Sequence, residues 1–428
     1  MKAAGIRSII RNSGFLLAGH GLTIAMRGVY IILLARLLGP EAYGNLNYGL
    51  SWYLTAIALT NLGLDVVLSK EIARGDAAPS SLVGATLQLR AGAALLVSLL
   101  STAFVLAFES NPILKNLILV FNFALAGRAV WLWCVSVFTA FENTRHAFVL
   151  DMIFRPLEIL AVLAALFLTD KSLLAIAGAH AALWCLQPVI GVLVILRRIT
   201  RLDWRGNWTR FRSILISGLP GAVYTLALSW FMQAPIVLYE KALGTGDRLG
   251  HFALGIQIIG YLIVIPLFIS NTALPVLTRS ALRDDGKDRR ALLALLLFVP
   301  AGGVALGVLG AWLTTPVTLL LFGEKFLRSA AVIGDSLWLF APFSLSIILQ
   351  QFIFARWRSF AAPLAGLLGA ALAAGLFFPL VRAWDYRGGL IAVGVGLVFW
   401  MGGLIAILVR KGALLRNGPL LQNGASRK

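Results

Sequence analysis

Four arginines interrupt long apolar runs of this 428-residue chain: Arg27, Arg90, Arg128 and Arg155. A guanidinium is a planar fork of donors that grips phosphate or carboxylate oxygens two at a time. Buried among apolar residues it needs an acceptor, which is an acid of the chain, an aqueous cavity or an anionic ligand. Arg27 has no acid within one turn of its own helix, whereas Asp151, Arg155 and Glu158 follow i, i+4 and i+3 spacing on one face, so Arg155 has counter-charges close by. His180 is either a group that titrates near neutral pH or a hydrogen-bonded packing residue. Asp151, Glu158 and His180 are candidates for ion coupling or for pairing. Asn61, Gln187, Gln233, Gln257, Gln350 and Gln351 also lie in apolar runs, where they line a lumen or bond between helices.

These residues sit in a chain that is 59% hydrophobic and 13% charged, with a mean hydropathy of +0.88. A soluble fold of this size does not carry such a composition. Apolar runs of about 20 residues match a hydrocarbon core of roughly 30 Å at about 1.5 Å per residue, which predicts an all-α integral membrane protein. Spans are expected near 13–38, 45–68, 82–108, 113–140, 148–168, 172–196, 213–239, 250–278, 291–313, 331–355, 360–381 and 388–409. With twelve spans both termini share one side. Of the 37 Lys and Arg, 24 fall on the terminal side and nine on the other, placing both termini in the cytoplasm. The four remaining basic residues are the four arginines, all in the first six spans.

Arg36-Leu-Leu-Gly-Pro-Glu-Ala-Tyr-Gly44 follows the first span, and Lys241-Ala-Leu-Gly-Thr-Gly-Asp-Arg-Leu-Gly250 follows the seventh, with Gly39 and Gly244 205 residues apart. Each has glycine where the chain must turn tightly. The echo predicts a parallel six-plus-six repeat: two lobes around a central cavity, residues 1–196 and 213–410, with a basic linker over 197–212 and a cytoplasmic tail over 411–428. The linker carries six Arg with Trp204, Trp208 and Phe211 interleaved, which reads as a segment along the inner leaflet or as an ordinary positive-inside loop. Asp65 and Asp335 lie near span ends; Pro220 and Pro235 allow the seventh span to bend.

The net charge of +19 sits in loops rather than on one folded face, which excludes nucleic acid as a partner. Cys134 and Cys185 lie in apolar runs and form no metal-ligand spacing. Neither a nucleophile constellation, a metal site nor a cofactor motif is present, so catalytic residues and cofactors are not expected.

Leu37-Leu-Gly-Pro-Glu-Ala-Tyr-Gly44, Asn61-Leu-Gly-Leu-Asp-Val-Val-Leu-Ser-Lys-Glu-Ile-Ala-Arg74, Ile216-Ser-Gly-Leu-Pro220 and Leu321-Phe-Gly-Glu-Lys-Phe-Leu-Arg-Ser-Ala-Ala331 resemble bacterial oligosaccharide flippases. These are the polysaccharide-exporting branch of the multidrug/oligosaccharidyl-lipid/polysaccharide (MOP) superfamily. The resemblance implies an inner-membrane transporter that moves polyprenyl-diphosphate-linked oligosaccharides from the cytoplasmic to the periplasmic leaflet by alternating access. Its partners would be the lipid-linked glycan, membrane lipids, and a glycan polymerase or other proteins of the pathway. Arg27, Arg128, Arg90 and Arg155 would receive the diphosphate. Where relatives carry an acid in the seventh span this chain reads Met232-Gln-Ala-Pro235, so no coupling carboxylate is carried over there. A cationic-drug exporter of the same superfamily and a membrane polysaccharide polymerase or ligase are the alternatives; drug cations call for intramembrane carboxylates, and such enzymes for a large periplasmic loop.

Overall fold

A computed structural model describes residues 26–75, 78–204, 208–267, 270, 287–357 and 359–411. The first half of the first expected span, most of the 279–290 loop, the centre of the linker and nearly all of the tail lie outside the described residues. What is described is helical almost throughout. Among the described residues eight helices are long and apolar enough to cross a membrane, or nine if one bent pair counts as a single span. The shortfall from twelve has identifiable sources. The first helix is described only from residue 26, Thr144–Leu168 is interrupted by Arg145, Asp151, Arg155 and Glu158, and Ala361–Arg410 counts once although it turns back on itself.

The chain forms two compact units. The first comprises residues up to Ser229 together with Gly246–Gly250. Its helices are α1 (26–38), α2 (Pro40–Leu59), α3 (Leu64–Arg74), α4 (Pro79–Phe108), α5 (Pro112–Ala140), α6 (Thr144–Leu168), α7 (Leu173–Arg198) and the first part of α8 (Trp208–Leu243). The span expected over 45–68 is one candidate span over Pro40–Arg74, broken into two helices. Leu62 and Gly63 take φ of +50° and +67°, a region that suits glycine and ends α2 before α3 begins.

Helix α2 is held at both ends by contacts of backbone on backbone. At its start, a Cβ added to Gly44 would lie 2.6 Å from the Gly250 nitrogen, and one added to Gly250 would run into the Pro40 carbonyl. At the break, a Cβ on Gly63 would overlap the Gly218 carbonyl, and one on Gly218 the Leu62 carbonyl. Asn61 Nδ2 adds a hydrogen bond to Thr225 Oγ1 at 3.2 Å. Gly39 and Gly244 both take a positive φ, +80° and +83°, as tight turns at those positions require. The segments that echo each other in sequence therefore meet, Gly44 against Gly250.

The linker is not a free loop. Asp203 N–H donates to Ser80 O at 3.2 Å, Gln88 Nε2 donates to Trp204 O at 3.0 Å, and Arg210 donates to Ser81 Oγ. Gly84 gives the strap room to lie against α4. Ile199, Leu202 and Phe211 pack on the core made by Leu64, Leu68, Val83, Trp133, Val137 and Phe138, leaving Trp204 and Trp208 exposed.

The second unit holds Trp230–Thr245 and residues from His251 onward. It contains α9 (Asp247–Leu262, from His251), α10 (Lys287–Phe322), α11 (Leu327–Leu337), α12 (Phe340–Trp357) and α13 (Ala361–Arg410). Trp384 and Asp385 leave helical φ/ψ, and the two arms of α13 run antiparallel: Gly369 packs on Gly396, Gly403 on Ala365 and Gly388 on Leu380. This turn falls between the spans expected over 360–381 and 388–409, at the charges Arg382, Asp385 and Arg387. Asp335, expected near a span end, accepts from Tyr386 Oη and Arg387 Nε, each at 3.1 Å.

Candidate functional site

Arg128, Asp151, Arg155, Glu158, His180 and Gln187 come together where α5 crosses α7. Gly127 permits the crossing: an added Cβ would lie 2.6 Å from the Trp184 carbonyl and 2.9 Å from Cys185 Cα. That carbonyl lacks its usual i+4 donor because residue 188 is proline, so the α5 backbone can settle on it without breaking a helical hydrogen bond. One residue on, Arg128 is thereby delivered to α7. Its Nη1 donates to Gln187 Oε1 at 3.3 Å, and its Cζ lies 5.9 Å from the Trp184 ring centroid, within cation–π range.

The facing helix α6 supplies both acids and the second arginine. Glu158 accepts three hydrogen bonds: from Arg155 Nη1 at 2.9 Å, His180 Nδ1 at 2.8 Å and Trp184 Nε1 at 2.8 Å. His180 is 2% exposed, and its second ring nitrogen bonds the Tyr30 hydroxyl. With Nδ1–H directed at a carboxylate, the neutral ring accepts from Tyr30 through Nε2. Asp151 does not pair with Arg155 despite the spacing; its Oδ1 accepts from Gln187 Nε2 at 3.0 Å. Gln187 thus stands between Arg128 and Asp151, bonded to both.

Arg155 and Glu158 form the i, i+3 ion pair that the sequence allowed, and His180 is hydrogen-bonded at both ring nitrogens. Arg27 is the exposed member, one turn from Tyr30 on α1, and its charge reaches Tyr53 as do those of Arg128, Arg155 and Glu158. Arg90 lies apart, on α4. It is 1% exposed, with Nε donating to Ala129 O at 3.2 Å and Nη1 to Asn61 Oδ1 at 2.5 Å, so it ties α4 and α5 to the break between α2 and α3. Asp65, beside that break, accepts from Ser136 Oγ at 2.6 Å.

Trp184, Tyr53 and Tyr30 were not among the residues singled out from the sequence. Trp184 is the hub: Tyr53 stacks on it at 4.7 Å, His180 lies at 5.1 Å and Phe121 at 5.9 Å. A signal existed for two of them, since Trp184 follows His180 by four residues and Tyr30 follows Arg27 by three, on the same helix faces.

Among the described residues Arg128, unlike Arg155, has no carboxylate within ion-pair distance, only an amide oxygen and an aromatic face, and unlike Arg90 it donates to no backbone carbonyl. Its remaining donors suit an anion, and Arg27 carries the same charge nearby. With Arg27, Arg128 and Arg155 against Asp151 and Glu158, the cluster carries one excess positive charge when His180 is neutral.

A family profile described as "Polysaccharide biosynthesis protein" matches residues 9–281. The chain is 28% identical over 376 residues to the EPS I polysaccharide export inner membrane protein EpsE of Ralstonia nicotianae, covering 80% of this chain and 81% of that one. Among solved structures it is similar to an inward-facing multidrug resistance MATE family transporter of the MOP superfamily, at TM-score 0.74 and 16% identity over 91% of this chain and 94% of that one. It is also similar to the lipid II flippase MurJ in an inward closed conformation, at TM-score 0.66 and 14% identity over 94% and 87%. At these identities the structural likenesses establish the fold, that of the MOP transporters.

Proposed function

The chain belongs to the polysaccharide biosynthesis protein family, and from that membership we propose that it flips a polyprenyl-diphosphate-linked oligosaccharide across the inner membrane, with Arg128 and Arg27 receiving the diphosphate. The observation that carries the reading is Arg128 itself: a half-buried guanidinium whose direct partners are an amide oxygen and an aromatic ring and whose position is fixed by Gly127 and Pro188. Arg155 contributes charge while bound to Glu158; Arg90 belongs to the scaffold. Asp151, Glu158 and His180 act as counter-charges and orienting partners. A drug exporter is less well supported, because Asp151 and Glu158 are both already bonded within the cluster.

In this reading the cargo enters from the cytoplasm and leaves to the periplasm, and residues 39–44 and 241–250 face the periplasm while 197–212 face the cytoplasm. Cysteines placed at 203 and 245 test the sidedness. An impermeant thiol reagent should label only residue 245 in intact spheroplasts, and labelling at 203 would reverse the orientation.

Outward movement of an anion is assisted by an inside-negative potential, at ~2.3 kcal/mol per charge per 100 mV, so a linker of about two charges gains ~4–5 kcal/mol. The experiment is transport of a labelled lipid-linked oligosaccharide in vesicles reconstituted with the protein under an imposed potential. Inside-negative potential should accelerate inside-to-outside movement and the reverse potential slow it. Transport that ignores the potential and follows only a proton or sodium gradient would defeat this account of the drive.

A further inference from the structure

Tyr53 lies midway along α2, between the contact at Gly44 and the break at Gly63, in the centre of the aromatic cluster. It is 1% exposed, stacked on Trp184 at an interplanar angle of 19° and tilted against Phe121 at 6.0 Å. Phenylalanine would make these ring contacts equally well, so packing gives no reason for the hydroxyl. Among the described residues that hydroxyl has no hydrogen-bond partner. A buried donor without an acceptor costs about 1–3 kcal/mol, and folded proteins leave few of them.

A second unused donor belongs to the same cluster. Arg155 bonds Glu158 through Nη1, while its Nε is buried with no partner among the described residues. The surroundings are otherwise well satisfied: Glu158, His180, Trp184 Nε1, Gln187 and Asp151 all have partners. Among the described residues of this cluster the buried side-chain donors left without a partner are Tyr53 Oη and Arg155 Nε, and the charges of Arg128, Glu158, Arg155 and Arg27 all reach the Tyr53 phenol.

We propose that the Tyr53 hydroxyl and Arg155 Nε donate, together with the Arg128 guanidinium, to the oxygens of a phosphate or diphosphate group. This rests on reading the cluster as the receptor of the cargo's anionic linker, and it assigns a ligand contact to a residue so far counted as core. It also divides Arg155 between two duties, its Nη1 edge held by Glu158 and its Nε left for the ligand. A hydroxyl, a guanidinium edge and a second whole guanidinium match the several acceptor oxygens of a phosphoryl group.

The test is binding of farnesyl diphosphate to the full-length protein in detergent, with farnesol as the phosphate-free probe and thermal stability of the unliganded protein read alongside. Tyr53→Phe removes only the hydroxyl, and Arg155→Lys keeps a cation for Glu158 while removing Nε. Each should weaken farnesyl diphosphate binding about tenfold, leave farnesol binding unchanged, and leave the unliganded melting temperature unchanged or raised. Wild-type affinity for farnesyl diphosphate in Tyr53→Phe, with Arg128→Gln impaired, overturns the assignment of Tyr53 and leaves the proposed function standing. Equal wild-type affinity for farnesyl diphosphate and farnesol removes the anion receptor itself, and this inference with it.

Discussion

Arg128→Gln should abolish glycan export while the protein remains folded, inserted and at wild-type abundance. Glutamine keeps an amide donor near Gln187 and Trp184 but removes the positive charge and the fork. Neither carboxylate of the cluster is left unpaired by the change, since Asp151 keeps Gln187 and Glu158 keeps Arg155, His180 and Trp184. Arg128→Lys preserves charge without bidentate geometry and should retain partial export. Arg27→Gln should behave as Arg128→Gln does, whereas Arg90→Gln should fail differently. Losing the bonds to Ala129 and Asn61 loosens the junction of α3, α4 and α5, so its defect should appear as reduced abundance. Surface polysaccharide and membrane-inserted protein, measured in the same cells, separate the two classes. Normal export by Arg128→Gln, or a loss explained wholly by abundance, would make Arg128 structural.

The second large effect concerns the glycines that fix the height of α2, and with it Tyr53. Gly218→Ala places a methyl inside the Leu62 carbonyl, and Gly63→Ala adds the strain of φ +67° to an overlap with the Gly218 carbonyl. Neither obstacle is a flexible side-chain tip, so the backbones must part. We expect a loss of about 2–4 kcal/mol or more, seen as a lowered melting temperature and inserted yield. Gly92→Ala and Gly402→Ala are the controls, because a Cβ at either meets nothing within 4 Å and alanine is the better helix former by about 1 kcal/mol. If Gly218→Ala is as stable as Gly92→Ala, the contact at the break does not hold α2 in place.

The hydropathy of the chain announced its helices because span length is set by the bilayer and needs no tertiary information. The α13 turn was equally plain, since Arg382, Asp385 and Arg387 break an apolar run. The break in the second span was signalled by Asn61-Leu62-Gly63 but masked by the apolar residues on both sides, which average out in any window long enough to find a span. Of the site, the charged residues were visible and so was the Arg155–Glu158 pair, because i, i+3 partners lie on one helix. Arg90 was legible as anomalous but its partners were not: they stand 29 and 39 residues away, and one of them is a backbone carbonyl. Tyr53 was invisible, being one aromatic among many until its neighbours show that its hydroxyl is unpartnered. Asp151 illustrates the opposite error, for correct spacing to Arg155 did not produce a bond once Gln187 offered a better placed donor.

The most direct measurement is the flipping rate in reconstituted vesicles of one oligosaccharide carried on two lipids, a polyprenyl diphosphate and a neutral polyprenyl ether, by wild type and by Arg128→Gln. The account predicts that wild type moves the diphosphate-linked glycan at least tenfold faster than the ether-linked one, and that Arg128→Gln erases the difference by slowing only the former. Equal rates on both lipids by wild type, or an unchanged preference in Arg128→Gln, would contradict the claim that this arginine cluster receives the anionic linker.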